Sequence, residues 1–307
     1  MKRGLKVISL LICIIMIFSF ASSLGLASAA SGESFAALST AEYYSDEFTN
    51  IVMPYRLYVP KNYDASKSYQ LIVFLHGAGE SGADNISQIT NNKLLDTLIS
   101  DEYIDAHPCI VVVPQSTLGW NSSEIITVMN ILRYVEYEYN IDDERQVLIG
   151  YSMGGAGLWD MLIRYPDYFD AAVPVAAAGL ASGDLESIKD IPIWIFHATN
   201  DDTVDVEYSR TMYKELTDID ANVFMTEPST GGHNDNFVAF SKTALYDWLF
   251  SDDFKLPTRP EEKKKAIIFA VIIGAAVLVI AVGTTTAIVV VKRRKAKTLN
   301  SDVDKEV

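Results

Sequence analysis

Cysteine is nearly missing from this sequence. Cys13 and Cys109 are the two present among 307 residues. Cys13 lies in an N-terminal apolar run that reads as a removable leader, so Cys109 is left without a partner for an internal disulfide. It opens the apolar run Cys109-Ile110-Val111-Val112-Val113 and is expected as a buried small hydrophobe. Histidine is scarce too. There are four, and none stands at ligand spacing from Cys, Asp or Glu, so no metal site is expected. Basic residues are few: 25 Lys and Arg face 40 Asp and Glu, and over residues 31–251 the count is 11 against 33. Such a surface repels polyanions, and nucleic acid is excluded as a partner.

Long apolar runs are confined to the two ends. Lys2, Arg3 and Lys6 precede an uncharged stretch over 7–20, followed by Ala27-Ser28-Ala29-Ala30. This is the pattern of a signal peptide over 1–30. Residues 266–291 carry no charge. As a helix rising about 1.5 Å per residue they would reach roughly 39 Å, enough to cross a hydrocarbon core of about 30 Å. Lys292, Arg293, Arg294, Lys295 and Lys297 follow. Together these features predict a single-pass plasma-membrane protein. Its domain over 31–251 stands outside the cell, followed by a polar linker over 252–265, a membrane helix over 266–291 and a short cytoplasmic tail over 292–307.

The middle alternates strand and helix signals. Apolar stretches at 56–59, 71–75, 110–113, 146–149, 172–175, 193–196 and 222–225 predict strands, several of them apolar on both faces. Helical periodicity falls over 125–136, 156–165, 206–216 and 236–250. This order predicts an α/β architecture, a mostly parallel twisted sheet with helices on both faces.

Gly150-Tyr151-Ser152-Met153-Gly154 follows one of these strands directly and opens a helix. A serine at such a junction sits on a sharp turn, and small neighbours are needed where strand and helix approach. Serine needs a base to act as a nucleophile. Of the four histidines, His197 and His233 follow Ser152, and His233 leaves room for an intervening acid at a strand end. Asp201 is the favoured acid, Asp202 the alternative. An oxyanion hole needs two backbone amides. Met153 and the loop His76-Gly77-Ala78-Gly79-Glu80-Ser81-Gly82 are the candidate sources, with Ala78 ahead of Gly77. Trp120, beyond the strand at 110–113, is a candidate pocket residue.

With these elements in order, the chain resembles the α/β-hydrolase superfamily. It is most similar to the phospholipase/carboxylesterase and polyhydroxybutyrate-depolymerase-like esterases, a group that includes predicted peptidases. The likeness is carried by Val73-Phe74-Leu75-His76-Gly77-Ala78-Gly79-Glu80, Val113-Pro114-Gln115, Gly150-Tyr151-Ser152-Met153-Gly154-Gly155, His197-Ala198-Thr199-Asn200-Asp201-Asp202-Thr203-Val204 and Gly232-His233. Ala198 and Asp205 stand where the group usually has glycine and proline. The resemblance implies an α/β-hydrolase fold over about 50–250 and a Ser152-Asp201-His233 triad. It further implies hydrolysis of carboxylic esters, small or attached to polysaccharide, without a cofactor. A serine peptidase, an acyl transferase on the same fold and a non-catalytic surface-binding protein are the alternatives.

Overall fold

A computed structural model describes residues 40–44, 52–90, 92–98, 100, 104–233 and 244–273. The leader expected over 1–30, the stretch 274–291 and the tail 292–307 lie outside the described residues. The chain divides into two units, Met1–Leu256 and Pro257–Val307.

The first unit is built on an eight-stranded sheet: β1 (Thr40–Tyr44), β2 (Val52–Tyr58), β3 (Tyr69–Leu75), β4 (Cys109–Pro114), β5 (Ile141–Tyr151), β6 (Ala171–Val175), β7 (Ile193–Phe196) and β8 (Val223–Thr226). The strand order is β1-β2-β4-β3-β5-β6-β7-β8. β1 pairs with β2, and β2 with β4, antiparallel; every later pairing is parallel. The expected α/β architecture is therefore present, with β1 as an additional edge strand.

β3 is buried throughout because the sheet is covered on both faces. Leu71, Val73 and Leu75 point into one core with Ile125, Leu132, Leu158 and Met212. Those partners come from the helices α2 (Ser122–Glu138), α3 (Met153–Arg164) and α4 (Glu207–Asp218). Ile72 and Phe74 point into the other core, with Leu94, Leu98 and Leu249 from α1 (Lys93–Leu98) and α5 (Leu245–Leu249). The period of two along a strand makes this division, and an uninterrupted apolar run serves both faces. Pro174 stands in a central strand at the cost of one ladder bond to β7. The amides of Ala172 and Ala176 bond toward β7, to Pro192 O at 3.0 Å and Phe196 O at 2.8 Å. An amide at 174 would face the same way, and the β6–β7 register carries pairs at Ala172 and Val175 but none at 174.

In the second unit, residues 260–273 are helical. This described stretch begins at Pro260 and carries Glu261, Glu262, Lys263, Lys264 and Lys265 in its first turns. Among the described residues no helix is long and apolar enough to cross a membrane. The expected membrane helix over 266–291 is therefore corrected: among the described residues no spanning helix is found, and 274–291 lie outside them. The single-pass plasma-membrane placement, with the domain outside and the C-terminus cytoplasmic, falls with it.

Candidate active site

The site lies beyond the C-terminal ends of β3, β5, β7 and β8. Ser152 separates β5 from α3 and holds φ 54° and ψ −116°, a left-handed conformation that costs a non-glycine residue about 1–3 kcal/mol. The turn is tight enough to exclude side chains beside it. A Cβ on Gly154 would lie 2.0 Å from the Leu75 carbonyl oxygen, and one on Gly150 would lie 2.3 Å from that of Gly154. The Ser152 amide donates to Val175 O at 2.8 Å, and the Ser152 carbonyl accepts from Gly155 and Ala178 at 2.9 Å each.

His233 Nε2 stands 3.0 Å from Ser152 Oγ, and its Nδ1 stands 2.8 Å from Asp201 Oδ2. A carboxylate accepts only, so the ring proton sits on Nδ1 and Nε2 is left to accept from the serine hydroxyl. The Asp201 carboxyl is buried, and its Oδ1 accepts the amides of Thr203 at 3.0 Å and Val204 at 2.9 Å. Burial alone would raise its pKa, but the His233 bond and the two amides outweigh it and hold it below the ordinary value. Asp202 is exposed and accepts from the Thr203 hydroxyl at 3.2 Å. The structure thus brings Ser152, Asp201 and His233 into one chain of contacts and leaves Asp202 outside it.

Two histidines that sequence reasoning did not place turn out to be struts. His197 donates from Nε2 to Val204 O at 3.0 Å, lies 3.2 Å from Asp201 Oδ2, and accepts at Nδ1 from Ser209 Oγ at 2.8 Å. Burial holds its pKa down. His76 Nε2 accepts the Ser116 amide at 2.9 Å, so Nδ1 carries the proton and donates to Gly77 O at 2.7 Å. Burial lowers its pKa to about 4. His76 is therefore neutral at pH 7 and ties the loop after β3 to the loop after β4.

Trp120 reinforces that tie. Its indole N–H donates to His76 O at 2.9 Å, its ring centroid lies 4.9 Å from that of His76, and it is 8% exposed. A Cβ on Gly157 would come within 2.4 Å of it. Trp120 braces the loop against α3, and little of it is left to line a pocket.

Of the candidate oxyanion donors, Ala78 is exposed at the start of a 3-10 turn, Ala78–Glu80, and Met153 begins α3. Gly77 differs from them, because its amide bonds the carboxylate of Glu80. Tyr151 closes the site from below. Its hydroxyl donates to His233 O at 3.1 Å, and its ring lies 5.1 Å from the imidazole. Cys109 is buried in β4, and burial pushes its thiol up to about 12, which leaves it unreactive. Among the described residues no cluster of His, Cys, Asp and Glu could hold a metal ion.

The model of the dienelactone hydrolase family matches residues 111–236. A bifunctional acetylxylan esterase/xylanase of Neocallimastix patriciarum is 26% identical over 168 residues, covering 53% of this chain and 23% of the relative. A probable feruloyl esterase C of Aspergillus flavus is 29% identical over 133 residues, covering 42% and 47%. The chain thus spans less than half the length of these curated relatives. Among solved structures, a thermostable esterase is similar at TM-score 0.63 and 35% identity, covering 68% of this chain and 61% of its own. A ferulic acid esterase of Anaeromyces mucronatus shares the fold at TM-score 0.56 and 20% identity, covering 70% and 89%.

Proposed function

We propose that this chain, similar to the dienelactone hydrolase family over residues 111–236 and to a thermostable esterase, is an α/β-hydrolase that hydrolyses carboxylic esters through an acyl-enzyme on Ser152. The observation that carries the reading is the pair of His233 contacts, 3.0 Å to Ser152 Oγ and 2.8 Å to Asp201 Oδ2. His233 Nε2 takes the hydroxyl proton as Ser152 Oγ attacks the ester carbonyl. Asp201, already ionised, stabilises the imidazolium that results. The amides of Met153 and Ala78 receive the negative oxygen. As the tetrahedral centre collapses, the ester C–O bond breaks and the imidazolium protonates the departing alkoxide. Water then repeats the sequence, with His233 again as base, and releases the acid. None of these steps calls on a metal or an organic cofactor.

The substrate is an ester of a small alcohol or of a polysaccharide hydroxyl. Two things support this: the names of the relatives, an acetylxylan esterase/xylanase and a probable feruloyl esterase, and exposed apolar residues on two loops at this end of the sheet. Leu118 and Leu180, 81% and 44% exposed, sit on the loops that follow β4 and β6, and apolar surface there suits an acyl group. The test is Ser152→Ala assayed with 4-nitrophenyl acetate. Hydrolysis should fall by about 10⁴-fold or more, and labelling by a fluorophosphonate should vanish. Full hydrolysis by the variant would refute the reading.

A further inference from the structure

We propose that Glu80 sets the charge preference of this site, selecting neutral acyl esters against anionic ones. The inference rests on the ester-hydrolase reading. Glu80 ends the 3-10 turn that begins at Ala78, so its carboxylate belongs to the same loop as a proposed oxyanion donor. The side chain folds inward. Its Oε2 lies 3.0 Å from the point where a Cβ on Gly77 would stand, and the Tyr151 ring lies 3.1 Å from the same point. Tyr151 in turn holds the His233 carbonyl. The carboxylate is thus packed between the loop after β3 and the residue that supports the base.

That charge is poorly compensated. Oε2 is buried and has no hydrogen-bond partner among the described residues. Burial pushes the carboxyl above the ordinary glutamate range. The amides of Glu80 and Gly77, and His233 when its ring is protonated, pull the other way without cancelling it. Two titratable groups face it, His233 and Tyr151, and Tyr151 also feels Asp201. A half-buried anion that water does not fully screen acts on neighbouring charge over several ångströms. An ester carrying a second negative charge would meet this field as it settles on Ser152, and a neutral ester would not. The chain then has a reason to keep an acid here: Glu80 ties the Gly77 amide and also rejects anionic esters.

The test compares two 4-nitrophenyl esters of equal acyl length, one ending in methyl and one in sulfonate. The ratio of their kcat/KM values is measured for the full chain and for Glu80→Gln, which keeps an acceptor for the Gly77 amide. The wild-type protein should prefer the neutral ester, and the ratio should fall about 5- to 10-fold in the variant. A ratio unchanged in a folded Glu80→Gln would overturn the proposal. The wild-type protein supplies a second measurement should the variant not fold. The sulfonate stays charged, so the preference should narrow as pH falls and Glu80 takes up its proton, which burial makes easier; a preference that stays constant from pH 8 down to pH 4 in the folded protein overturns it equally. A wild-type protein inert toward both esters and toward fluorophosphonate would instead defeat the ester-hydrolase reading, and this proposal with it.

Discussion

The Ser152 turn is held by steric exclusion, whereas the loops bearing Asp201 and His233 are held by hydrogen bonds. Around Ser152 the backbone atoms approach so closely that Gly150 and Gly154 leave no space for a methyl group. Around His233 the contacts are polar and specific: Asp201 at Nδ1, Tyr151 at the carbonyl, and the Gly232 amide on Asn200 Oδ1 at 3.0 Å. A sterically held turn cannot change one residue without disturbing the fold. A hydrogen-bonded loop can lose a side chain and keep its path. The nucleophile should therefore be tied to stability, and the base to chemistry alone.

The sharpest way to break that contrast is His233→Ala. Activity toward 4-nitrophenyl acetate should drop by about 10⁴-fold, while stability falls by no more than about 2 kcal/mol, the bond that the buried Asp201 carboxylate loses. A large loss of stability would mean that the base is part of the scaffold after all. Gly154→Ala should do the reverse. Its methyl group would meet the Leu75 carbonyl oxygen at 2.0 Å, backbone against backbone, with no flexible side chain to yield. A cost of about 4 kcal/mol is expected, read from chemical denaturation; a variant as stable as the parent would show that the turn relaxes.

The same contrast explains what could be read from the sequence. The Gly-Tyr-Ser-Met-Gly turn and the apolar strands are short-range patterns, and strand β7 falls where its four apolar residues stand. Strand β5 begins at Ile141 rather than at 146, because Asp142, Asp143 and Glu144 on its exposed first half hide the pattern. Strand β1 pairs antiparallel as an edge and lacks the continuous apolar run of a central strand. The short helix α1, six residues, offers less than two turns of periodicity. The roles of His76 and His197 were illegible for another reason. Their hydrogen-bond partners are mostly backbone groups and a serine, such as the Ser116 amide 40 residues from His76, and no motif records them. The charge-free stretch at 266–291 has length and hydropathy in its favour, but among the described residues no helix is long and apolar enough to cross a membrane, and residues 274–291 lie outside them.

His76 extends the comparison to pH. Its folded pKa, about 4, lies below the unfolded value of about 6.5, so the unfolded chain binds the proton more readily. The stability that this neutral histidine contributes is fully present above pH 6.5. It is lost as pH falls from there through about 4, and the total is about 3 kcal/mol. In His76→Gln this part of the acid sensitivity should disappear, giving a flatter dependence of the denaturation midpoint between pH 6.5 and 4. An unchanged slope would show that other groups carry the acid sensitivity.

The smallest effect tests whether the two halves of the site are joined. Tyr151 belongs to the steric half by position, next to Ser152, and to the polar half by its hydroxyl, which donates to His233 O at 3.1 Å. Tyr151→Phe keeps the ring that packs near Gly77 and the imidazole and removes the hydroxyl that makes that bond. A net contribution of about 1 kcal/mol is typical of one neutral hydrogen bond, so kcat should fall about fivefold. KM should change little, because the bond orients the base and does not touch substrate. If kcat is unaffected, the His233 loop is positioned without the Tyr151 hydroxyl, and the turn and the loops are independent structures that merely meet. If kcat falls as expected, the strained turn does more than present the nucleophile, since its own neighbour also sets where the base stands.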